Sequence, residues 1–166
     1  MQIFLINRTN GQSIYYMQSE KEAKEWFRSL HSGKMSFNKA KDQMRTARAR
    51  FTPGAMLTYS YSPKYAQKLP IWDKYPLIVF LEKTKNGWYG INLHYVPADT
   101  RAAIIDGLNK KSNNLQRIAQ ALLKHPATQN SVKRYLLSHT TSVPVLIPRD
   151  QWSIAVQLPY QQFIKK

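Results

Sequence analysis

Residues 76–96 read PLIVFLEKTKNGWYGINLHYV, and this stretch decides the fold. Residues 77–81 form a continuous apolar run, which is typical of a buried strand. Asn86-Gly87 is a strong two-residue turn signal, and residues 88–95 supply a second strand after it. The stretch therefore predicts an antiparallel hairpin at the centre of the protein.

Further strands are predicted on both sides of this hairpin. Pro53-Gly54 indicates a turn, and residues 56–61 alternate so that Tyr59 and Tyr61 share one face. Residues 143–147 and 152–158 are predicted as two more strands. Five or more short strands predict an α+β fold, built on a small antiparallel β-barrel or curled sheet of SH3-like type with appended helices.

Helices are predicted before and within this strand-rich part. A hairpin of residues 3–6 and 14–17 precedes a helix over 20–30, and three further helices are expected near 97–108, 115–123 and 130–138. We expect residues 1–50 to form a basic N-terminal hairpin and helical extension. Residues 51–166 are then a barrel-like core domain that carries inserted helices over 97–140.

The charge of the chain points to a polyanionic partner. There are 25 Lys and Arg against 9 Asp and Glu, which gives a formal net charge of +16. A net charge with a magnitude of about 2–8 is sufficient to keep a small domain soluble. The larger positive charge of this chain is more simply explained if DNA or RNA neutralises it. A membrane partner is not expected, because neither a basic amphipathic helix with a broad apolar face nor a lipidation signal is evident.

Two basic segments are the candidate phosphate ligands. Residues 34–50 are almost uniformly positive, and a helix from residue 36 would dock one apolar side while presenting cations on the others. Residues 62–75 are predicted as a long, basic, ordered loop. The predicted nucleic-acid-binding residues are Lys39, Lys41, Arg45, Arg48, Arg50, Lys64, Lys68 and Lys74, with Tyr65 and Trp72 as candidates for base stacking.

No catalytic set is predicted. A restriction-type nuclease needs a carboxylate pair and a lysine on one face, but Lys83 and Lys85 lie one and three residues after Glu82 and so point away from it. The four histidines are scattered and lack the i,i+4 spacing or the carboxylate company of a metal site. Cysteine is absent, which excludes thiolate zinc sites and cysteine nucleophiles. We therefore expect a non-enzymatic protein with no metal and no cofactor.

Several motifs resemble a known family. They are Pro53-Gly54, Tyr61-Ser62-Pro63-Lys64, Asp73-Lys74-Tyr75-Pro76-Leu77, Gly87-Trp88-Tyr89-Gly90-Ile91-Asn92-Leu93-His94-Tyr95-Val96-Pro97, Arg101, Lys133-Arg134-Tyr135-Leu136, Ser138-His139, Ile147-Pro148 and Trp152-Ser153-Ile154-Ala155. Together they resemble the small virion proteins of T-even-like tailed phages and cyanophages that are called DNA end protectors. The resemblance covers about residues 51–164 and leaves the first 50 outside.

The resemblance implies a phage virion protein that binds the genome end and protects it from host exonuclease. Its partners would be double-stranded DNA or DNA ends and other virion proteins. It would reside in the virion, and in the host cytoplasm during assembly and after injection. Two alternatives stay open: a structural head, neck or tail completion protein that contacts DNA or acidic virion partners, and an RNA-cleaving toxin.

Overall fold

The structure is a computed structural model that describes residues 5–9, 12–16, 20–31, 51–110 and 114–165. The described strands are β1 (Leu5–Thr9), β2 (Gln12–Tyr16), β3 (Met56–Thr58), β4 (Trp72–Asp73), β5 (Leu77–Thr84), β6 (Gly87–Asn92), β7 (Val132–Leu136), β8 (Val145–Leu146) and β9 (Ile164–Lys165). The described α-helices are α1 (Glu20–Leu30), α2 (Ala98–Lys110), α3 (Leu115–Lys124) and α4 (Trp152–Val156). None of the helices in this part of the chain is long and apolar enough to cross a membrane.

The central feature is a five-stranded antiparallel sheet in the order β7-β6-β5-β3-β8. The sheet is open across the described residues, so of the two predicted forms, a barrel or a curled sheet, the barrel is wrong. The edge strands β7 and β8 do not pair with each other. Between them in the chain, Thr140 forms a β-bridge with Tyr61, which follows β3. The α+β class with an antiparallel sheet and appended helices is confirmed, whereas the SH3-like type stays a prediction.

Both faces of β5 are buried, which explains its continuous apolar run. Leu77, Val79 and Leu81 join the larger core, which the helices cover. Ile78 and Phe80 face the other side and join a smaller core. That smaller core also contains the side chains Leu57, Tyr59, Tyr61, Trp88 and Tyr135. The predicted shared face of Tyr59 and Tyr61 is thus confirmed, although β3 itself ends at Thr58.

One predicted helix is a strand. Residues 130–138 were expected to be helical because Val132, Tyr135 and Leu136 recur at helical spacing, but Val132–Leu136 is the edge strand β7. Pairing with β6 decides the outcome, since strand formation depends strongly on tertiary context. Gly87 permits the close approach of these strands, because an added Cβ would lie 1.8 Å from the Tyr135 carbonyl oxygen.

One predicted strand is a helix. Residues 152–158 are mostly apolar and are predicted as a strand, yet Trp152–Val156 is the short helix α4. Trp152, Ala155 and Val156 are buried at three- and four-residue spacing, and the Trp152 indole donates to the Ile147 carbonyl oxygen at 2.9 Å. The helix therefore buries one helical face, which a short apolar segment does not distinguish from a strand.

Helix α1 packs into the larger core. Ala23 and Phe27 are buried, and the Phe27 ring meets the His94 ring edge-on at 4.9 Å. The Trp26 indole donates to the Gln151 side chain at 3.0 Å. The expected helix over 20–30 and the preceding hairpin of β1 with β2 are confirmed. The expected helix over 36–51 lies outside the described residues apart from its last position, and the division of the chain at residue 50 stays a prediction.

Candidate nucleic-acid interface

The basic loop, residues 62–75, is fixed at both ends. The Tyr61 amide donates to the Lys74 carbonyl oxygen at 2.9 Å, and the Ser62 amide donates to the His139 carbonyl oxygen at 3.0 Å. Near its far end, β4 pairs with β9, so that Asp73 lies opposite Ile164. The prediction of a long, ordered loop is consistent with this anchoring. The backbone of the loop is therefore anchored to the rest of the fold.

Lysines cluster around an exposed tyrosine on the basic loop. Tyr65 is 57% exposed, and the Nζ atoms of Lys64 and Lys68 lie 5.3 and 5.9 Å from its ring centre. A 3-10 turn over Ala66–Lys68 brings these side chains together. Lys74 is also exposed, but its Nζ lies 5.4 Å from the ring centre of Tyr75. Two of the three predicted lysines therefore share a surface with an aromatic ring, and the third stands beside a different ring.

A pocket of about 210 Å³ opens between the basic loop and strands β6 and β7. Four aromatic rings line it, from Tyr61, Trp72, Tyr95 and Tyr135. We call it the aromatic pocket. The predicted stacking residue Trp72 is half-buried and forms part of its wall.

Two cations of β7 complete the aromatic pocket, and neither was predicted as a site residue. Lys133 Nζ lies 4.6 Å from the ring centre of Tyr95, and Arg134 lines the pocket while donating to the Asn86 side-chain oxygen at 2.8 Å. The adjacent Lys133-Arg134 pair is visible in the sequence. Because the spacing of apolar residues over 130–138 predicts a helix, the sequence gives no reason to place Lys133 and Arg134 beside the basic loop.

Asp73, which lines the aromatic pocket, anchors a buried polar network. The Asp73 carboxylate accepts from the Tyr75 amide at 2.9 Å and from the Asn92 side-chain amide at 3.0 Å. It also lies 2.5 Å from the His94 Nδ1 atom, so that ring nitrogen carries the shared proton. The Asn92 amide reaches the Tyr135 hydroxyl at 3.2 Å. The sequence does not reveal this pairing of His94 with a carboxylate.

Burial shifts the pKa values of four groups in the aromatic pocket, and it raises those of Tyr61 and Tyr135 above the ordinary value. It raises the pKa of Tyr95 to about 12, with a further contribution from the Asp73 charge. It also lowers the pKa of Lys133 from its ordinary value. The Tyr95 hydroxyl consequently keeps its proton at neutral pH and contributes no negative charge beside an incoming phosphate.

A family model described as "Phage T4 terminal DNA protecting protein" matches residues 16–166. The chain belongs to that family. The match extends the likeness to residues 16–50, which the motif resemblance had left outside. No curated protein and no solved structure matches the chain.

The predicted site residues of this DNA-protecting family member divide into two groups. Lys64, Tyr65, Lys68, Trp72 and Lys74 all belong to the basic loop that borders the aromatic pocket. The other predicted ligands lie outside the described residues: Lys39, Lys41, Arg45, Arg48 and Arg50. The binding roles of both groups stay predictions.

A second, larger cavity of about 420 Å³ lies at the β5–β6 turn of the same protein. Phe51, Trp88 and Leu137 line it, together with the lysines Lys83 and Lys85. Phe51 directly follows the basic segment 34–50 in the chain. The lining is mostly apolar, and no network of hydrogen-bonded polar groups like that of Asp73 lines it among the described residues.

Proposed function

We propose that this protein binds the end of a phage genome and shields it from host exonuclease. The observation that carries the proposal is membership of a terminal DNA-protecting family over residues 16–166 in a chain with a net charge of +16. Such a charge supplies the sequence-independent, salt-dependent attraction to phosphates that an end-binding protein needs. End protection requires contact with DNA and no particular sequence.

The proposed contact surface is the basic loop together with the two β7 cations. Lys64, Lys68 and Lys74 are exposed, and Lys133 and Arg134 add positive charge to the lining of the aromatic pocket. Arginine binds phosphate oxygens through its forked guanidinium, and lysine acts as a mobile point charge. Lys39, Lys41, Arg45, Arg48 and Arg50 are proposed to add a second set of phosphate contacts, and Tyr65 is proposed to stack on an unpaired base.

Protection is proposed to come from occupancy of the DNA end and not from chemistry. The Asp73–His94 pair resembles part of a catalytic triad, but the His94 side chain is 0% exposed. Its ring packs against Phe27 and Phe163, at 4.9 and 4.7 Å between ring centres. A histidine enclosed in this way has no path to a substrate in solution, so the pair is better explained as a structural anchor for the loop.

The location follows from the proposed role. A protein that protects a genome end during delivery is carried in the virion and enters the host cytoplasm with the DNA, after assembly in the previous host. Other virion proteins near the packaged end are its proposed protein partners. The structural alternative, a head, neck or tail component, shares the charge but predicts no preference for DNA ends.

Competition binding separates these two functions. The full-length protein is bound to a labelled linear duplex, and unlabelled linear or covalently closed circular DNA of the same sequence is added as competitor. End binding predicts that the linear competitor is far more effective per molecule and that affinity falls steeply with salt. Equal competition by the two forms would refute end binding.

A further inference from the structure

We propose that the aromatic pocket receives one unpaired nucleobase from the DNA terminus. The base would stack on the pocket's aromatic walls, and its phosphate would stay at the mouth with Lys133 and Arg134. This inference rests on the proposed end binding and gives it a recognition site. It is carried by the pocket's size, its lining and the position of its charges.

The size of the pocket suits a single ring system. Its volume is about 210 Å³, below the range of about 300–1,000 Å³ typical of sites for drug-sized ligands. A base with its sugar and phosphate would exceed this space, whereas the flat base alone is small. Trp72 and Tyr95 supply aromatic surface, and aromatic platforms accept every base because every base has a π-face.

The distribution of charges favours entry of the base, and not of the phosphate, into the pocket. Asp73 lines the pocket and is nearly buried, so a phosphate that entered would meet a carboxylate in a poorly solvated site. Lys133 and Arg134 also line the pocket, but Lys133 is only half-buried and Arg134 is exposed, so their positive charge lies closer to solvent than the Asp73 carboxylate. A neutral base is therefore favoured inside the pocket and the phosphate outside it.

The polar groups in the pocket also match the edge of a base. Each carboxylate oxygen of Asp73 has two lone pairs, so the carboxylate retains acceptor capacity beyond its bonds to Tyr75, Asn92 and His94. Every DNA base carries at least one N–H group on its Watson–Crick edge, and extruded bases are commonly bound through that edge. Asp73 would accept from any of them, which is compatible with binding that does not depend on sequence.

This site gives a physical reason for a preference for ends. Extruding a base from inside a duplex costs unpairing and unstacking energy, and the cost is least where the base is already single-stranded. A terminal base has a stacking neighbour on one side only. The pocket would therefore be filled at a terminus and stay unused along the interior, although the phosphate contacts are the same in both places.

The test uses duplexes with a one-nucleotide overhang, which presents a base without any unpairing cost. Wild-type protein is titrated with overhangs that carry either a base or an abasic sugar, in both 3′ and 5′ polarity. We expect the base to improve affinity by about 5- to 150-fold at one polarity, which is the range of a single stacked base. Equal affinity for base and abasic overhangs at both polarities would overturn the inference.

A variant and its control tie the effect to the pocket. Trp72→Ala is expected to abolish most of the difference between base and abasic overhangs, a ratio that is measured within one variant and so does not depend on the fraction of active protein, and circular dichroism confirms that the variant is folded. Tyr160→Ala is the control, because Tyr160 is 51% exposed and does not line the pocket; it should keep the wild-type ratio. A full ratio in Trp72→Ala would contradict the assignment. If linear and circular DNA compete equally, the proposed function fails; if ends are preferred but the base is irrelevant, only this inference fails.

Discussion

Arg101 is a buried residue whose guanidinium donates hydrogen bonds to backbone carbonyl oxygens. Its Nε donates to the Val96 carbonyl oxygen at 2.9 Å, and its Nη1 reaches the carbonyl oxygens of Ala155, Val156 and Leu158 at the end of α4. Burial lowers the pKa of Arg101 to about 10, which still leaves the group charged at neutral pH. One side chain thus satisfies the end of a five-residue helix and ties it to α2.

Replacing Arg101 by methionine should destabilise the protein severely. Arg101→Met keeps much of the volume but leaves buried carbonyl oxygens without their charged donor, and we expect a loss of about 3 kcal/mol or more in the free energy of unfolding. Urea denaturation measures the loss. Arg117→Met, at an exposed position of α3, is the control and should change stability by less than about 0.5 kcal/mol. Similar values for both variants would contradict the role of Arg101.

His31 should make stability depend on pH. Its Nε2 lies 2.9 Å from the Thr58 hydroxyl, and burial lowers its pKa from 6.5 to about 4, despite an opposing contribution from Asp73. Between these pH values the unfolded chain binds a proton that the folded protein does not, so stability falls as the pH drops from 6.5 to 4. In His31→Gln this part of the loss should disappear, as urea denaturation at several pH values would reveal. An unchanged pH profile would show that His31 does not titrate as its burial requires.

At the level of elements, the central hairpin and the edge strand β8 were predictable, whereas β7 and α4 were not. The apolar run before Asn86-Gly87 has an unambiguous local signal, and β5 and β6 lie close to where it places them. The residues of β7 and α4 have sequence patterns that are compatible with either a helix or a strand. For β7 the pairing with β6 decides, and for α4 the carbonyl acceptors of Arg101 decide. Both are contacts between distant parts of the chain, which no local pattern reveals.

The candidate site was also predictable only in part. The lysines of the basic loop stand out by composition, and so do Tyr65 and Trp72 between them. The aromatic pocket needs the loop, β6 and β7 together, so an error over residues 130–138 was sufficient to hide it. The partner of His94 was hidden for a different reason, because Asp73 is 21 residues away in sequence.

Neutralising one basic element should reduce the salt dependence of DNA binding. We expect Lys64, Lys68 and Lys74, changed together to glutamine, to weaken binding and to lower the slope of log affinity against log salt by up to about three units, since each phosphate contact contributes about 0.9. The same result is expected for Arg45, Arg48 and Arg50. Binding isotherms at several salt concentrations give the slope.

A charge-matched control is available on the helices. Lys110, Arg117 and Lys124, from α2 and α3, can be changed to glutamine with the same loss of net charge. If this control lowers the slope as much as the loop variant does, the effect reflects total charge and not a contact surface. An unchanged slope in the loop variant would remove the basic loop from the interface.

For the whole molecule, the net charge of +16 and the fold are proposed to explain two different properties, which are attraction to DNA and selection of its end. Charge attracts the protein to any phosphate backbone, at an end or in the interior. Selection of the end needs a feature that only a terminus can satisfy, and the aromatic pocket beside the basic loop is the proposed feature. Protection then depends on the number of DNA ends and not on the length of the DNA.

Exonuclease digestion of linear duplexes of different lengths tests this dependence most directly. At a fixed concentration of ends, the protein is titrated until digestion stops, with an endonuclease reaction on the same DNA as a control for general coating. We predict that the protein needed is the same for short and long duplexes and that endonuclease cleavage of the interior continues. A requirement that rises in proportion to DNA length, or digestion that proceeds at saturating protein, would contradict protection at the end.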